Sequence, residues 1–259
     1  MRFMTGGSRT WCNHGLSAVL AVAAIVAGPA PGIGRSAGRA VAAETAGVAV
    51  LADEAVAKHA AGWEQHIRRF EDAERQSPTP AGAVLFLGSS NIALWRNLAE
   101  DFPGHTVVNR GFGGCHLADI AFFAERLVGP VQPATIVVSA GANDIHSGRT
   151  PEQVRDSFVV LATTARSLLP DVRIIYLGIA TTTARLSERP AQMRAFALIS
   201  VFVAEQANME VIDLADVYCR PDGTIDPECL IDDKLHPSRK GNLRRAAIIR
   251  ERLEAAPAR

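Results

Sequence analysis

A concentrated positive charge is missing from this sequence. Its 27 Lys and Arg side chains are balanced by 27 Asp and Glu side chains, so the formal net charge is +0. Proteins that bind nucleic acid or an anionic membrane surface usually carry a basic patch, because that attraction is electrostatic. The balanced composition therefore predicts no nucleic-acid partner.

Cysteine is also scarce, and the spacings that are typical of metal and dinucleotide sites are missing. The chain has 4 cysteines, none of them in a Cys-x-x-Cys pair, which argues against a structural zinc site. The glycine-rich stretch 109–114 does not match the Gly-x-Gly-x-x-Gly fingerprint of dinucleotide-binding proteins. Neither a metal nor an organic cofactor is predicted.

Apolar runs long enough to cross a membrane are lacking too. The stretch 16–27 is apolar but short, follows Arg2 and Arg9, and precedes small residues. This order is typical of a secretory signal peptide, whereas a membrane span needs about 20 apolar residues. Residues 1–43 are interpreted as a signal peptide and a disordered linker, with cleavage after Ala30 or within residues 40–43. The mature protein is expected in the periplasm or the medium, without stable membrane insertion; an uncleaved anchor is the alternative.

Two cysteines flank a turn-like stretch near the C-terminus. Arg-Pro-Asp-Gly lies between Cys219 and Cys229, so a chain reversal could bring the two thiols together. In an oxidising compartment such a pair can form a disulfide. Two buried free thiols are the alternative.

Strands and helices are predicted to alternate along most of the chain. Residues 50–80 read as an N-terminal helix, over 53–76, that ends at two prolines. Residues 81–256 read as one α/β domain, with short apolar strands at 83–87, 106–109, 135–139, 173–177 and 210–213. Helical patterns lie between and after them, at 92–100, 117–127, 151–168, 190–206 and 239–253. This alternation predicts a three-layer α/β/α fold with a five-stranded parallel sheet.

Polar residues and glycines follow three of the predicted strands, where parallel sheets bind ligands. Ser90 stands in a Gly-Ser-Ser turn after the first strand, Gly114 in a glycine-rich turn after the second, and Asn143 after the third. A serine in a strand-to-helix turn can act as a nucleophile, and N–H groups nearby can stabilise an anion. The ordinary alternatives are helix capping by Ser89 or Ser90 and an Asx turn at Asn143.

A carboxylate and an imidazole stand three residues apart near the C-terminus. Asp233 can reach one ring nitrogen of His236 and leave the other nitrogen free as a base. An isolated Asp-x-x-His pair is more often a surface ion pair. The conjunction of four such signals, in this order and each after a strand or near the last helix, favours a catalytic site.

The sequence resembles the SGNH (GDSL-type) hydrolases, and most of all a bacterial branch whose first block reads Gly-Ser-Ser followed by Leu-Trp. The likeness is carried by residues 88–95, Asp-Phe-Pro-Gly at 101–104, Asn-Arg-Gly-Phe-Gly-Gly at 109–114 and Gly-Ala-Asn-Asp at 141–144. It implies a flavodoxin-like SGNH hydrolase fold over residues 81–256. Cys115 and Ala142 depart from residues that are usual in the family.

This resemblance implies a role for each site residue. Ser90 is the implied nucleophile, His236 the general base and Asp233 its orienting partner. The backbone N–H groups of Ser90 and Gly114 and the side chain of Asn143 form the implied oxyanion hole. The expected activity is hydrolysis of short acyl or acetyl esters, on a small molecule or a glycan. A cell-envelope carbohydrate O-acyltransferase and a catalytically silent carbohydrate-binding domain are the alternatives.

Overall fold

A computed structural model of the chain describes residues 53–255. The interpreted signal peptide and linker, with both cleavage positions, lie outside the described residues. Within 53–255, none of the helices combines the length and the apolar character that crossing a membrane requires.

Five parallel strands form one sheet in the order β2-β1-β3-β4-β5. The strands are β1 (Val84–Gly88), β2 (Val107–Gly111), β3 (Thr135–Ser139), β4 (Arg173–Leu177) and β5 (Met209–Ile212). The chain runs outward from β1 to β2 and then returns to β3 on the other side of β1. The predicted parallel sheet is confirmed, with each strand within two residues of its predicted position.

Helices cover both faces of this sheet. They are α1 (Glu54–Ala61), α2 (Glu64–Gln76), α3 (Ser90–Ala93), α4 (Leu98–Asp101), α5 (Leu117–Phe122), α6 (Ala124–Val128), α7 (Ala142–His146), α8 (Pro151–Leu168), α9 (Arg189–Val203) and α10 (Arg239–Glu254). Two 3₁₀ segments, Thr183–Glu188 and Pro227–Cys229, lie in the long loops.

Alternate residues of each strand enter different cores, as the pleat requires. In β1, Leu85 and Leu87 belong to the core under α1, α2, α5, α6, α8 and α9, whereas Val84 and Phe86 belong to the core under α3, α4 and α10. The three central strands, β1, β3 and β4, are therefore buried on both faces, which accounts for their largely apolar sequences.

The N-terminal helix predicted over 53–76 is two helices in the structure. Gly62 caps the first by donating its N–H to the carbonyls of His59 and Ala60, and the second begins at Glu64. Glycine is a poor helix interior residue, because it loses more backbone freedom than other residues. The patterns at 92–100 and 117–127 are likewise split, each into two short helices.

The turn after β1 and the end of β2 approach each other so closely that Gly111 cannot carry a side chain. A Cβ there would overlap the backbone nitrogen of Ala93 and lie 2.8 Å from its Cα. Both atoms belong to backbone, so a rotamer change cannot relieve the contact. Gly111 thus fixes the distance between β2 and the helix that begins at Ser90.

Replacing Gly111 by Ala is expected to lower the free energy of unfolding by about 1 to 3 kcal/mol, the usual cost of overpacking. Denaturant titration followed by circular dichroism measures it. Gly113→Ala is the matched control, since its Cβ would meet only Ser90, at 3.8 Å. Equal stability of the two variants would show that the close approach does not constrain the fold.

Candidate active site

The candidate site lies at the carboxyl ends of β1, β2 and β3, beside the point where the strand order reverses. Ligands of open α/β sheets bind at such a switch point. Ser90 follows β1, Gly114 follows β2 and Asn143 follows β3. The loop before α10 brings His236 to the same place.

Ser90 is the first residue of α3 and is only half-buried. Neither serine of the turn caps the helix in the usual way: Ser89 is at the cap position but its side chain accepts no hydrogen bond from the helix. The hydroxyl of Ser90 instead lies 2.8 Å from Nε2 of His236. The helix-capping interpretation is therefore wrong for this turn.

His236 connects Ser90 to Asp233. Its Nε2 faces the Ser90 hydroxyl, and its Nδ1 lies 2.6 Å from Oδ2 of Asp233. The other carboxylate oxygen of Asp233 accepts hydrogen bonds from the backbone N–H groups of Leu235 and His236, both at 2.9 Å. These bonds hold the carboxylate in place, although its side chain is 43% exposed.

The pKa of Asp233 is lowered to about 2. Partial burial opposes ionisation and raises this pKa, but the hydrogen bonds from the His236 ring and from the backbone N–H groups of His236 and Leu235 outweigh it. Asp233 is therefore a carboxylate at any pH well above 2. A carboxylate on Nδ1 favours the tautomer that carries its proton there and leaves Nε2 as the acceptor.

Two backbone N–H groups at the candidate site make no hydrogen bond to any of the described residues. Within 53–255, no hydrogen bond involves the N–H of Ser90 or the N–H of Gly114. Gly114 has φ +92°, a conformation that side chains resist, and it is exposed to solvent. Both groups are available as donors to an anion.

Asn143, the second residue of α7, is held by two long-range hydrogen bonds rather than by an Asx turn. Its Nδ2 donates to the carbonyl of Cys115 at 3.0 Å, and its Oδ1 accepts from Arg185 at 3.0 Å. The next residue, Asp144, accepts from the backbone N–H of Leu117 at 2.8 Å. The segments that carry Gly114 and Asn143 are thus tied to each other.

Cys115 does not reach the site, although it follows the glycine turn. Its side chain is fully buried, and its thiol donates to the carbonyl of Gly88 at 3.6 Å. Burial raises the pKa of this thiol well above its ordinary value, so the reactive thiolate is suppressed. Cys115 is a core residue here.

The N-terminal helices form a wall beside the glycine turn, which sequence reasoning did not foresee. The ring of Trp63 would be 3.4 Å from a Cβ on Gly114, and it packs edge-on against Phe112. His59 binds both carboxylate oxygens of Asp119 through Nδ1, at 2.8 and 2.9 Å. Contacts across such long sequence separations leave no local signal.

His59, Asp119 and His116 are the only group in the described part of the chain that could offer three ligands to a metal ion. Their ligand atoms lie within 4.8 Å of one another. The two imidazole rings are stacked, however, with centroids 4.1 Å apart and planes 4° from parallel. Because a nitrogen lone pair lies in its ring plane, the two rings cannot both point at one ion in this arrangement.

The predicted disulfide between Cys219 and Cys229 does not form in the structure. Cys229 is a free thiol, and it is completely buried with Tyr218, Ile225 and Leu230. The turn at 220–223 pairs the backbone of Cys219 with Ile225 rather than with Cys229. The chain reversal is real, but it closes too early to join the two cysteines.

Most of the described chain matches the model of a known protein family. Residues 88–244 match the model of the GDSL-like lipase/acylhydrolase family. The chain belongs to the GDSL-like lipase/acylhydrolase family. The matched range runs from the strand end before Ser90 to α10, and it leaves out α1 and α2, so the Trp63 wall lies outside the family's common part. None of the curated proteins matches the chain.

Solved structures share the SGNH hydrolase fold of this GDSL-like chain. A Streptococcus pneumoniae protein described as a platelet activating factor superimposes with a TM-score of 0.66 at 15% identity, over 85% of this chain and 100% of that one. A GDSL-like lipase from Bacteroides thetaiotaomicron gives 0.58 at 17% identity, over 73% and 97%. A family 3 carbohydrate esterase from Talaromyces cellulolyticus gives 0.52 at 19% identity, over 66% and 96%.

Cys229 is expected to be alkylated by iodoacetamide only after the protein is denatured, and without any reductant. The thiol has no exposed surface in the native state, so the reagent reaches it only on unfolding. Peptide mass spectrometry of native and denatured samples measures the modification. A requirement for reductant as well as denaturant would show that Cys229 is oxidised, contrary to the structure.

Proposed function

We propose that this protein hydrolyses carboxylic esters through an acyl-enzyme, with Ser90 as nucleophile, His236 as general base and Asp233 as the group that orients it. One observation carries the proposal: His236 contacts the Ser90 hydroxyl at 2.8 Å through Nε2 and the Asp233 carboxylate at 2.6 Å through Nδ1. Nucleophile, base and orienting group in hydrogen-bond contact are the arrangement that activates a serine.

The proposed reaction proceeds in two halves. His236 takes the proton of Ser90 while the serine oxygen attacks the ester carbonyl, and the protonated ring then donates to the leaving alcohol. Water, activated by the same imidazole, attacks the acyl-serine and releases the acid. Asp233 remains ionised throughout, consistent with its lowered pKa, and stabilises the imidazolium.

The developing oxyanion is proposed to be held by three donors. They are the backbone N–H groups of Ser90 and Gly114, both without a partner, and the side-chain amide of Asn143. Losing a single donor of this kind from a hydrolase costs about 3 kcal/mol of transition-state stabilisation. The donors come from residues after three different strands, so the sheet itself sets their relative positions.

Short acyl or acetyl esters, on a small molecule or a glycan, are the proposed substrates. The side chains of Asp233 and His236 are 43% and 20% exposed, so this side of the site is open rather than enclosed for a long acyl chain. The carbohydrate esterase among the structural neighbours supports a glycan ester as one form of the substrate. The first block, Gly88-Ser89-Ser90, is proposed to place the chain in the Gly-Ser-Ser branch of its family.

Transfer of the acyl group to a sugar is the competing outcome, since hydrolase and transferase share the acyl-enzyme. Incubating the protein with p-nitrophenyl acetate and a sugar acceptor separates them: free acetate supports hydrolysis, and acetylated sugar supports transfer. A silent carbohydrate-binding domain would release no p-nitrophenol under either condition.

Export is proposed from the N-terminal sequence. The mature protein is expected to begin after Ala30 or near residue 43, and to be found in the periplasm or the medium. Intact mass spectrometry of fractionated cells measures both the start and the location. Full-length protein in the cytosol would contradict the proposal.

Replacing Ser90 by Ala is expected to lower kcat for p-nitrophenyl acetate by several powers of ten, because the attacking oxygen is removed. The thermal midpoint should stay close to that of the wild type. Ser89→Ala is the matched control one residue away, and it should retain most of the activity. An active Ser90→Ala enzyme would show that Ser90 is not the nucleophile. If Ser89→Ala were inactive as well, the nucleophile would be Ser89.

A further inference from the structure

The hydrogen-bond partners of Asn143 leave its amide one free donor. A side-chain amide has two N–H groups and one carbonyl oxygen. Cys115 supplies only a carbonyl and Arg185 only N–H groups, at 3.0 Å each, so the amide has one orientation that satisfies both partners. With one N–H on Cys115, the second remains for a substrate oxyanion.

Arg185 has no carboxylate within ion-pair distance in the described residues, although Glu188 is near enough to stabilise its charge electrostatically. Arg185 forms no ion pair within 53–255, and its one hydrogen bond to a side chain goes to Asn143. The direct hydrogen bonds of Glu188, in the same 3₁₀ segment, go to His146 at 2.6 Å and Gln192 at 3.4 Å. The guanidinium is half-buried, so solvent screens its charge less than it would at an open surface.

The segment that carries Arg185 is fixed against the loop of the proposed base. The backbone N–H of Ala184 donates to the carbonyl of Lys234 at 3.1 Å, between Asp233 and His236. The neighbouring Leu186 packs against the buried cluster of Tyr218 and Cys229. The contacts of the two residues next to Arg185 therefore fix its backbone, and this holds its side chain within hydrogen-bond distance of Asn143.

We propose that Arg185 is a positioning residue that orients the Asn143 amide and strengthens its free N–H as an oxyanion donor. A hydrogen bond from a charged group to the amide oxygen polarises the amide, and charge-assisted bonds are roughly twice as strong as neutral ones. The effect is greater in the transition state than in the ground state, because negative charge develops on the substrate oxygen as the serine attacks. This inference rests on the proposed ester hydrolysis and deepens it.

A double-mutant cycle tests whether Arg185 acts through Asn143. The four proteins are the wild type, Arg185→Met, Asn143→Ala and the double variant, all assayed with neutral p-nitrophenyl acetate. Arg185→Met is expected to lower kcat about tenfold with KM within about twofold, and Asn143→Ala to lower kcat by about a hundredfold or more. The double variant should be no slower than Asn143→Ala alone, because the group through which Arg185 acts is then absent.

Arg185→Lys is the conservative variant, and it guards against a folding artefact. It keeps the charge and a donor, so kcat should recover to within a few-fold of the wild type, while circular dichroism shows that each variant is folded. If the kcat losses of Arg185→Met and Asn143→Ala multiply in the double variant, the inference is overturned. A raised KM with unchanged kcat in Arg185→Met would also overturn it, because Arg185 would then bind the substrate itself. An inactive wild type is a different result, because it would defeat the proposed function itself.

Discussion

The hydrogen bond between His236 and Ser90 joins two segments that are 146 residues apart, and the geometry of the site depends on it. This hydrogen bond can form only if α10 and the turn after β1 stay at a fixed distance from each other. Arg245 of α10 donates to the carbonyl of Asn91 at 3.2 Å and lies 4.5 Å over the ring of Trp95. Because Arg245 is almost completely buried, this link is shielded from solvent.

A second link ties the beginning of α10 to the same region. Asp101 accepts hydrogen bonds from the indole N–H of Trp95, at 2.7 Å, and from Arg239. Burial raises the pKa of Asp101, but its bonds to Arg239 and Trp95 outweigh that effect and lower it. The carboxylate is therefore the ionised partner of a network that secures the helix after His236. The position of His236 thus depends on packing around Asp101 as well as on its own contacts with Ser90 and Asp233.

Local signals predicted the parts of the fold that depend on neighbours in sequence. Helix α8 begins at Pro151 as expected, because Thr150 and Gln153 form a capping box and proline favours the first turn. Strands β3 and β4 match their predicted bounds, since their apolar runs are buried on both faces. The site residues after β1, β2 and β3 came together because parallel strands end at one edge of the sheet. Arg185 and Trp63 carry no such signal, and the disulfide prediction was wrong because two cysteines flanking a turn need not lie on the same side of it.

Covalent labelling with a fluorophosphonate tests the central claim, that Ser90 is an activated nucleophile, without any knowledge of the natural substrate. The label should be found by mass spectrometry on the peptide that contains residues 88–95, at Ser90, and it should be lost in Ser90→Ala and in His236→Ala. Labelling at Ser89, or an unlabelled protein whose circular dichroism shows an intact fold, would contradict the account.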